Sequence, residues 1–289
     1  MVVYVYCLLI NVNVIMERNP KPSNLVKLKL YHSWFIIVKI MQNLAAIVLA
    51  AGKGVRMRSD LPKVFHEILG EPMLTYVLET IKKLKPRATY LVVGHMRDLL
   101  MDYYQGWELK FVTQEEQLGT GHAVMQVKPF LSDFLGTVLV LNGDVPLITE
   151  KTLRQLIDFH LQNRAAATDL TAVLPDAGNY GRVIRKETGE LVKIVEKKDA
   201  TPEELKINEI NTGTFCFDKE ALFAALAEVR PDNAQKEYYL TDTIEILKKK
   251  GLPVFAFRAP DPSETLGVNT REELVEIEKI LLKISEISA

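Results

Sequence analysis

The stretch 49–66, LAAGKGVRMRSDLPKVFH, follows the apolar run 45–48 and carries Lys53, Arg56, Arg58 and Lys63 within eleven residues. Gly52 and Gly54 stand where the apolar run ends. Cations on a glycine-bearing loop behind a strand suit a polyphosphate. Glycine lets backbone N–H groups approach closely, and Arg56 and Lys63 can neutralise phosphate oxygens. Two familiar phosphate motifs do not fit. A G-x-x-x-x-G-K-[ST] loop fails because Gly54 follows Lys53 and no glycine stands five residues before Gly52. A G-x-G-x-x-G fingerprint fails at Met57, where the third glycine belongs, and a dehydrogenase reading falls with it. Taken alone, the loop reads equally well as a solvated basic turn.

Further along, LVLNGDVPLI (139–148) ends an apolar run on Asp144. A lone carboxylate at a strand end suits Mg²⁺, which takes one or two protein oxygens and completes its shell with phosphates; a turn or helix-capping aspartate is the plainer reading. In TQEEQLGTGHA (113–123), Gln114 and Gln117 offer paired donors and acceptors that match a pyrimidine edge, with backbone groups at Gly119, Thr120 and Gly121 beside them. By itself that segment would pass for a polar loop capping a helix. Gly181, Glu196 and Asn211 (in YGR, VEKKDA and INTG) supply a backbone N–H, a carboxylate and an amide, a set suited to sugar hydroxyls. Asn269, in LGVNT, offers a second oxygen to a metal, or lies in a helix N-cap region before Arg271.

These residues need elements to hold them. From residue 45 the chain alternates short apolar runs with segments of helical spacing. Buried strands are expected at 45–50, 89–94, 137–143 and 170–175, and helices at 73–84, near 96–104, 121–127 and 150–163. That alternation argues for an α/β domain with a mostly parallel, doubly wound sheet. After Pro175 the pattern changes: 181–198 reads as a β-hairpin about Thr188-Gly189-Glu190, 212–218 as a strand, 221–229 and 238–250 as helices, and 252–259 as a strand. The tail 271–287 reads as an amphipathic helix with Leu274, Ile277, Leu281 and Ile284 on one side.

The bulk numbers set limits. A chain of 289 residues can bury a large core, and its net charge of −1 gives no support to broad binding of nucleic acid or anionic membrane. Two cysteines, Cys7 and Cys216, make neither a disulfide framework nor a zinc cluster, so a reducing, cytoplasmic setting is expected. The apolar opening MVVYVYCLLINVNVIM is sixteen residues long and broken by Asn11 and Asn13, short of the ~20 residues of a membrane span. It also lacks the basic region and cleavage site of a signal peptide. Residues 1–40 are therefore read as an upstream extension, with Met41 as the start of the functional chain. The division expected is 1–40 extension, 41–270 catalytic domain and 271–289 C-terminal helix.

Together the segments LAAGKGVRMRSDLPKVFHEILGEPML, QEEQLGTGHA, GDVPLI, YGRV, VEKKDA, EINTG, EYYLTD and GVN resemble the uridylyltransferase domain of bifunctional N-acetylglucosamine-1-phosphate uridylyltransferase/glucosamine-1-phosphate acetyltransferases. The resemblance runs from about residue 44 to about 285. It implies a Rossmann-like nucleotide-diphospho-sugar transferase fold, a mixed, mostly parallel sheet flanked by helices, with a small β-hairpin subdomain for the sugar. It implies Mg²⁺-dependent formation of UDP-N-acetylglucosamine and pyrophosphate from UTP and N-acetylglucosamine-1-phosphate. Carried over by position, Ala51, Gly52, Gln114, Gly119 and Thr120 hold the uridine, with Gly54 and Gln117 counted among the substrate contacts. Arg56 and Lys63 act on the triphosphate, Asp144 and Asn269 hold Mg²⁺, and Gly181, Glu196 and Asn211 hold the sugar. Lys53 and Arg58 are left as surface charge. Asn142 and Val55 depart from residues common in the family, and no hexapeptide repeat follows residue 270, so acetyl transfer is not implied and oligomeric state stays open. The alternatives are another sugar-1-phosphate or nucleotide, or a non-catalytic nucleotide-sugar-binding module.

Overall fold

The computed structural model describes the backbone of residues 3–5, 14–16 and 43–288, with side chains from 43 to 284. The chain divides into two compact units, Met1–Gln42 and Asn43–Ala289. In the first, strands β1 (Val3–Val5) and β2 (Val14–Met16) pair antiparallel, Val3 opposite Met16. The remainder of the 1–40 segment, read above as an extension, lies outside the described residues.

The second unit is built on a strand that alternates but is apolar on both sides. In β3 (Leu44–Ala50), Ala46 and Val48 enter one core while Ala45 and Ile47 enter the other, the pattern of a parallel strand covered on both faces. β6 (Ala88–Val93) and β8 (Thr137–Asn142) flank it in parallel, and β7 (Leu109–Thr113) extends the sheet beyond β6. Beside the short pair β4 (Glu67–Ile68) and β5 (Glu71–Pro72), α1 (Met73–Leu84) brings Leu74, Val77, Leu78 and Ile81 onto the first core. Each such fully buried aliphatic chain contributes about 1.5–3 kcal/mol. α2 (Arg97–Tyr103) follows β6, and α3 (Thr120–Met125) places Ala123 and Val124 in the second core. α4 (Glu150–Gln162) lays Leu153, Leu156 and Ile157 beside α1, its start capped by Thr149 Oγ1, which accepts from Thr152 N.

β9 (Ala167–Val173), β10 (Arg182–Arg185), β11 (Leu191–Val195) and β12 (Glu209–Asp218) come next. β12 is the long element of the second half. One edge pairs with β9 antiparallel along its length; the other pairs with β8 over Phe215–Asp218 and passes to β10 at Ile210. Where β8 ends and the β10–β11 hairpin begins, the sheet opens into a cleft. α5 (Lys219–Leu226), α6 (Asp242–Lys249), β13 (Val254–Arg258, parallel to β9) and α7 (Arg271–Ser288) complete the unit. The mixed, mostly parallel sheet flanked by helices is the fold class expected.

Five details differ from the reading of the sequence. β7 was not anticipated. β9 begins at Ala167 and stops at Val173, and β12 begins at Glu209. The helix expected from 238 starts at Asp242, because Tyr238 N donates to Leu118 O (2.7 Å) and Tyr238 O accepts from Gly121 N (2.7 Å), holding residues 238–241 against Leu118 and the first turn of α3. On α7, Leu274, Ile277 and Leu281 pack on the core but Ile284 is exposed.

Candidate active site

The cleft has a volume of about 910 Å³ and is walled by loops at the C-terminal ends of β3 and β8, by β12 and by the start of α7. Of the residues singled out in the sequence, Ala51, Gly52, Arg56, Lys63, Gln114, Gln117, Gly119, Thr120, Asp144, Gly181, Glu196, Asn211 and Asn269 all line it. Gly54 does not. It sits at φ +63°, where a side chain is strained, and a Cβ there would collide with the Cβ of Lys63. Its role is to let the loop fold back so that Lys63 reaches the cleft. Lys53, read as surface charge, lines the cleft instead, whereas Arg58 is exposed outside it.

At the cationic end, β8 delivers Asp144. Gly143 N donates to Leu49 O (2.9 Å), tying the ends of β8 and β3, and Val268 N donates to Asp144 O (2.9 Å), bringing the 266–269 loop alongside. Thr270 and Glu273 form a capping box at the start of α7: Glu273 N donates to Thr270 Oγ1 (3.2 Å), and Glu273 Oε2 accepts from Asn269 N and Thr270 N. The helix-capping reading of this segment is therefore correct, and the cap is what fixes Asn269. Arg271 donates to the carbonyls of Met57 and Arg58, binding α7 to the basic loop.

Four side chains then meet. Lys63 Nζ donates to Asp144 Oδ2 and, at 3.1 Å, to Asn269 Oδ1; Arg56 Nη2 donates to the same Asn269 oxygen at 2.8 Å. A carboxylate and an amide oxygen converge here, with no nitrogen or sulfur ligand among them. That is a hard-oxygen set suited to Mg²⁺, and the ammonium between the oxygens shows that the position accommodates positive charge. Among the described residues no group of three or more His, Cys, Asp or Glu could hold a metal, so any cation here would draw its remaining ligands from substrate or water.

The opposite wall is uncharged apart from carboxylates. β12 bulges against β9 between Asn211 and Phe215. Within the bulge Gly213 takes φ +79°, and a Cβ there would run into the Asn142 amide nitrogen. Gly213 N donates to Asn211 Oδ1 (2.9 Å), which turns Asn211 Nδ2 toward the cleft, while Asn211 N donates to Gly181 O (3.0 Å). Glu196 follows β11 and receives the Thr241 hydroxyl at 3.2 Å. Burial pushes its carboxyl above the usual carboxylate range, Thr241 opposes the shift, and Asp242, Asp199 and Glu237 reinforce it. In the same cleft, Gln114 is buried and donates to Gly119 O at 3.0 Å, and Gln117 donates to Gln114 O at 3.2 Å.

The sequence reading did not assign roles to Asn142, Tyr180 or Thr241, which also line the cleft. Thr241 lies within the EYYLTD segment already noted, and Tyr180 within the YGR segment that carries Gly181.

Comparison with known proteins decides the family. The sequence profile of the nucleotidyl transferase family matches residues 45–262, three quarters of the chain. The chain belongs to the nucleotidyl transferase family. Among relatives of the same kind, it is 49% identical over 243 residues to the bifunctional protein GlmU of Brevibacillus brevis, covering 84% of this chain and 52% of that one. To the protein of that name from Enterococcus faecalis it is 48% identical over 241 residues, covering 83% and 52%. It thus spans about half the length of the curated relatives it matches. In structure this nucleotidyl transferase is similar to a UDP-glucose pyrophosphorylase solved with UDP-glucose, with a TM-score of 0.68, covering 83% of this chain and 98% of that one; at 18% identity the likeness is one of fold. No helix among the described residues is long and apolar enough to cross a membrane.

Proposed function

We propose that this nucleotidyl transferase joins UTP and N-acetylglucosamine-1-phosphate to give UDP-N-acetylglucosamine and pyrophosphate. The observation that carries the reading is the cleft itself. Arg56, Lys63, Asp144 and Asn269 meet at one end, Gly181, Glu196 and Asn211 lie on the opposite wall, and Gln114 lines the same cleft. The near-50% identity to proteins named GlmU supports the choice of sugar and nucleotide.

An oxygen of the sugar phosphate forms a bond to the α-phosphorus, and the bond from that phosphorus to the bridging oxygen breaks, pyrophosphate leaving with the electron pair. The attacking phosphate is already an anion, so no general base is required. Catalysis comes from holding the two anions in line and neutralising the charge that builds on the α-phosphate and leaving group, the task of Lys63 and Arg56. Asp144 and Asn269 would hold a divalent cation, Mg²⁺, whose chemistry is to offset phosphate charge. Gln114, Gly119 and Thr120, with the backbone of Ala51 and Gly52, hold the uridine; Gln117 supports Gln114. Glu196 and Asn211 accept from and donate to sugar hydroxyls, with the Gly181 backbone beside them. We take 41–270 as the catalytic domain, 271–289 as a helix completing its cleft, 1–40 as dispensable, and the cytoplasm, which supplies UTP, as its place.

The test is pyrophosphate release by the full chain and by a chain starting at Met41, across a panel of nucleotides and sugar phosphates with and without Mg²⁺. Release is expected from UTP with N-acetylglucosamine-1-phosphate, equal for both chains and abolished by chelation. Faster turnover of glucose-1-phosphate would overturn the sugar assignment, and binding of UDP-N-acetylglucosamine without turnover would overturn catalysis.

A further inference from the structure

Bonded to the cleft-lining Gln114 is an imidazole that the proposed reaction does not use. His122 lies on the first turn of α3, half-buried, with Nδ1 3.0 Å from Gln114 Nε2 and Nε2 3.0 Å from the side-chain amide of Gln126. The nitrogen of Gln114 is also 3.0 Å from Gly119 O. A backbone carbonyl accepts and cannot donate, so the Gln114 nitrogen, not its oxygen, must face Gly119. The second proton of that NH₂ group then points at His122 Nδ1, which must accept it. The imidazole proton is thereby assigned to Nε2.

Nε2–H in turn needs an acceptor, and the Gln126 carboxamide oxygen is in reach once that amide rotates. The rotation forgoes a 3.1 Å bond from Gln126 to the carbonyl of His122, a modest loss on a half-exposed residue beside solvent. The chain of bonds thus has one consistent direction, and it leaves Gln114 Oε1 with no protein donor among the described residues, on a side chain that lines the cleft.

We propose that His122 is a positioning residue for base selection. By holding the Gln114 carboxamide with its oxygen toward the base, it makes the site accept a ring N–H. Uracil carries N–H at N3, whereas cytosine carries a bare nitrogen there, which would face the Gln114 oxygen lone pair to lone pair. Without His122 the amide keeps only its bond to Gly119 and its orientation loosens. The inference rests on Gln114 reading the pyrimidine edge, as proposed above.

Steady-state kinetics of the full chain with UTP and with CTP, at saturating N-acetylglucosamine-1-phosphate and Mg²⁺, provide the test. In H122L the ratio of kcat/KM for UTP over CTP should fall at least about 10-fold, the size expected when one hydrogen bond in a buried set is lost. The change should lie in the nucleotide KM, with the sugar-phosphate KM within about twofold. H122N, whose side-chain oxygen can stand where Nδ1 stood, should recover most of the preference. H122A serves as the second truncation if H122L lowers the thermal midpoint, and UTP and CTP binding measured without the sugar phosphate should move in the same ratio. An unchanged ratio in the truncations, or an equal loss for both nucleotides, overturns the proposal. Failure of the underlying reading looks different: the unsubstituted chain itself would show no preference for UTP.

Discussion

The two ends of the cleft are built on opposite electrostatic plans. At the β3–β8 end, charged groups neutralise one another directly: Lys63 lies between Asp144 and Asn269, and Arg56 shares the Asn269 oxygen. At the β12 end, each polar group is held by an uncharged neighbour, Glu196 by the Thr241 hydroxyl and Asn211 by the Gly213 N–H. The difference matches the ligands each end would take. Polyphosphate and a divalent cation can replace ion pairs with ion pairs, so little charge is left unpaired at any stage. Sugar hydroxyls are neutral, and a site for them needs fixed donors and acceptors in a dry wall, where an unmade bond costs about 1–3 kcal/mol. One end is organised for charge exchange, the other for hydrogen-bond geometry.

The largest effect should come from removing the anion on the charged side. Asp144→Ala deletes the oxygen proposed to hold the metal and leaves Lys63 without its carboxylate partner. A loss of roughly 10³-fold in kcat is expected, on the scale seen when a preorganised charge-stabilising group is removed. Raising Mg²⁺ should not recover it. Near-normal pyrophosphate release from this variant would refute the metal assignment and with it the contrast between the two ends.

A smaller and differently shaped effect is expected on the opposite wall. Glu196→Gln keeps size and removes the charge-assisted acceptor, so the KM for the sugar phosphate should rise roughly 10–100-fold with the UTP KM little changed. Burial raises the Glu196 carboxyl, so the folded protein binds its proton more readily than the unfolded chain does. Stability tied to this group therefore declines as pH rises through the ordinary glutamate range and past it. Removing the charge takes that decline away. The thermal midpoint of E196Q at neutral pH should be no lower than that of the unsubstituted chain, while its sugar affinity is worse. In the unsubstituted chain sugar affinity should weaken as pH falls toward the raised carboxyl value, an inflection E196Q should lack. A matched loss of midpoint and affinity would make Glu196 a structural residue.

Much of this contrast was legible in the sequence. The parallel strands announce themselves as unbroken apolar runs, and α1 by its helical spacing, because both signals are local. The site residues are legible as a set because chemistry restricts residue type: cations after β3, a carboxylate after β8, an amide and a carboxylate around the hairpin. What was not legible depends on partners far away in sequence. Residues 238–241 have helical composition, but backbone bonds to Leu118 and Gly121 draw them into the cleft wall and so place Thr241 beside Glu196. Gly54 looks like a phosphate-facing glycine until Lys63 is folded against it. The bulge that aims Asn211 arises where β12 changes partner from β10 to β8, and no window along the chain contains that change.

One side chain crosses the divide. The hydroxyl of Tyr180, the residue before Gly181, accepts from Gly267 N at 2.8 Å, two residues before Asn269. Tyr180 is half-buried, and burial raises its hydroxyl pKa, so at neutral pH it stays protonated and retains a donor of its own. The hydrogen bond joins the loop that presents Gly181 to the loop that presents Asn269, so each end limits the freedom of the other. Tyr180→Phe removes that link and leaves the ring in place. The expected effect is the smallest of the three, roughly 3–10-fold, because one hydrogen bond to a backbone N–H is lost. Its distribution is what matters. If the ends are coupled through this hydroxyl, the sugar-phosphate KM and the Mn²⁺ dissociation constant, the latter read by electron paramagnetic resonance on the protein with UTP, should both rise. If the ends are independent, only one of the two will move.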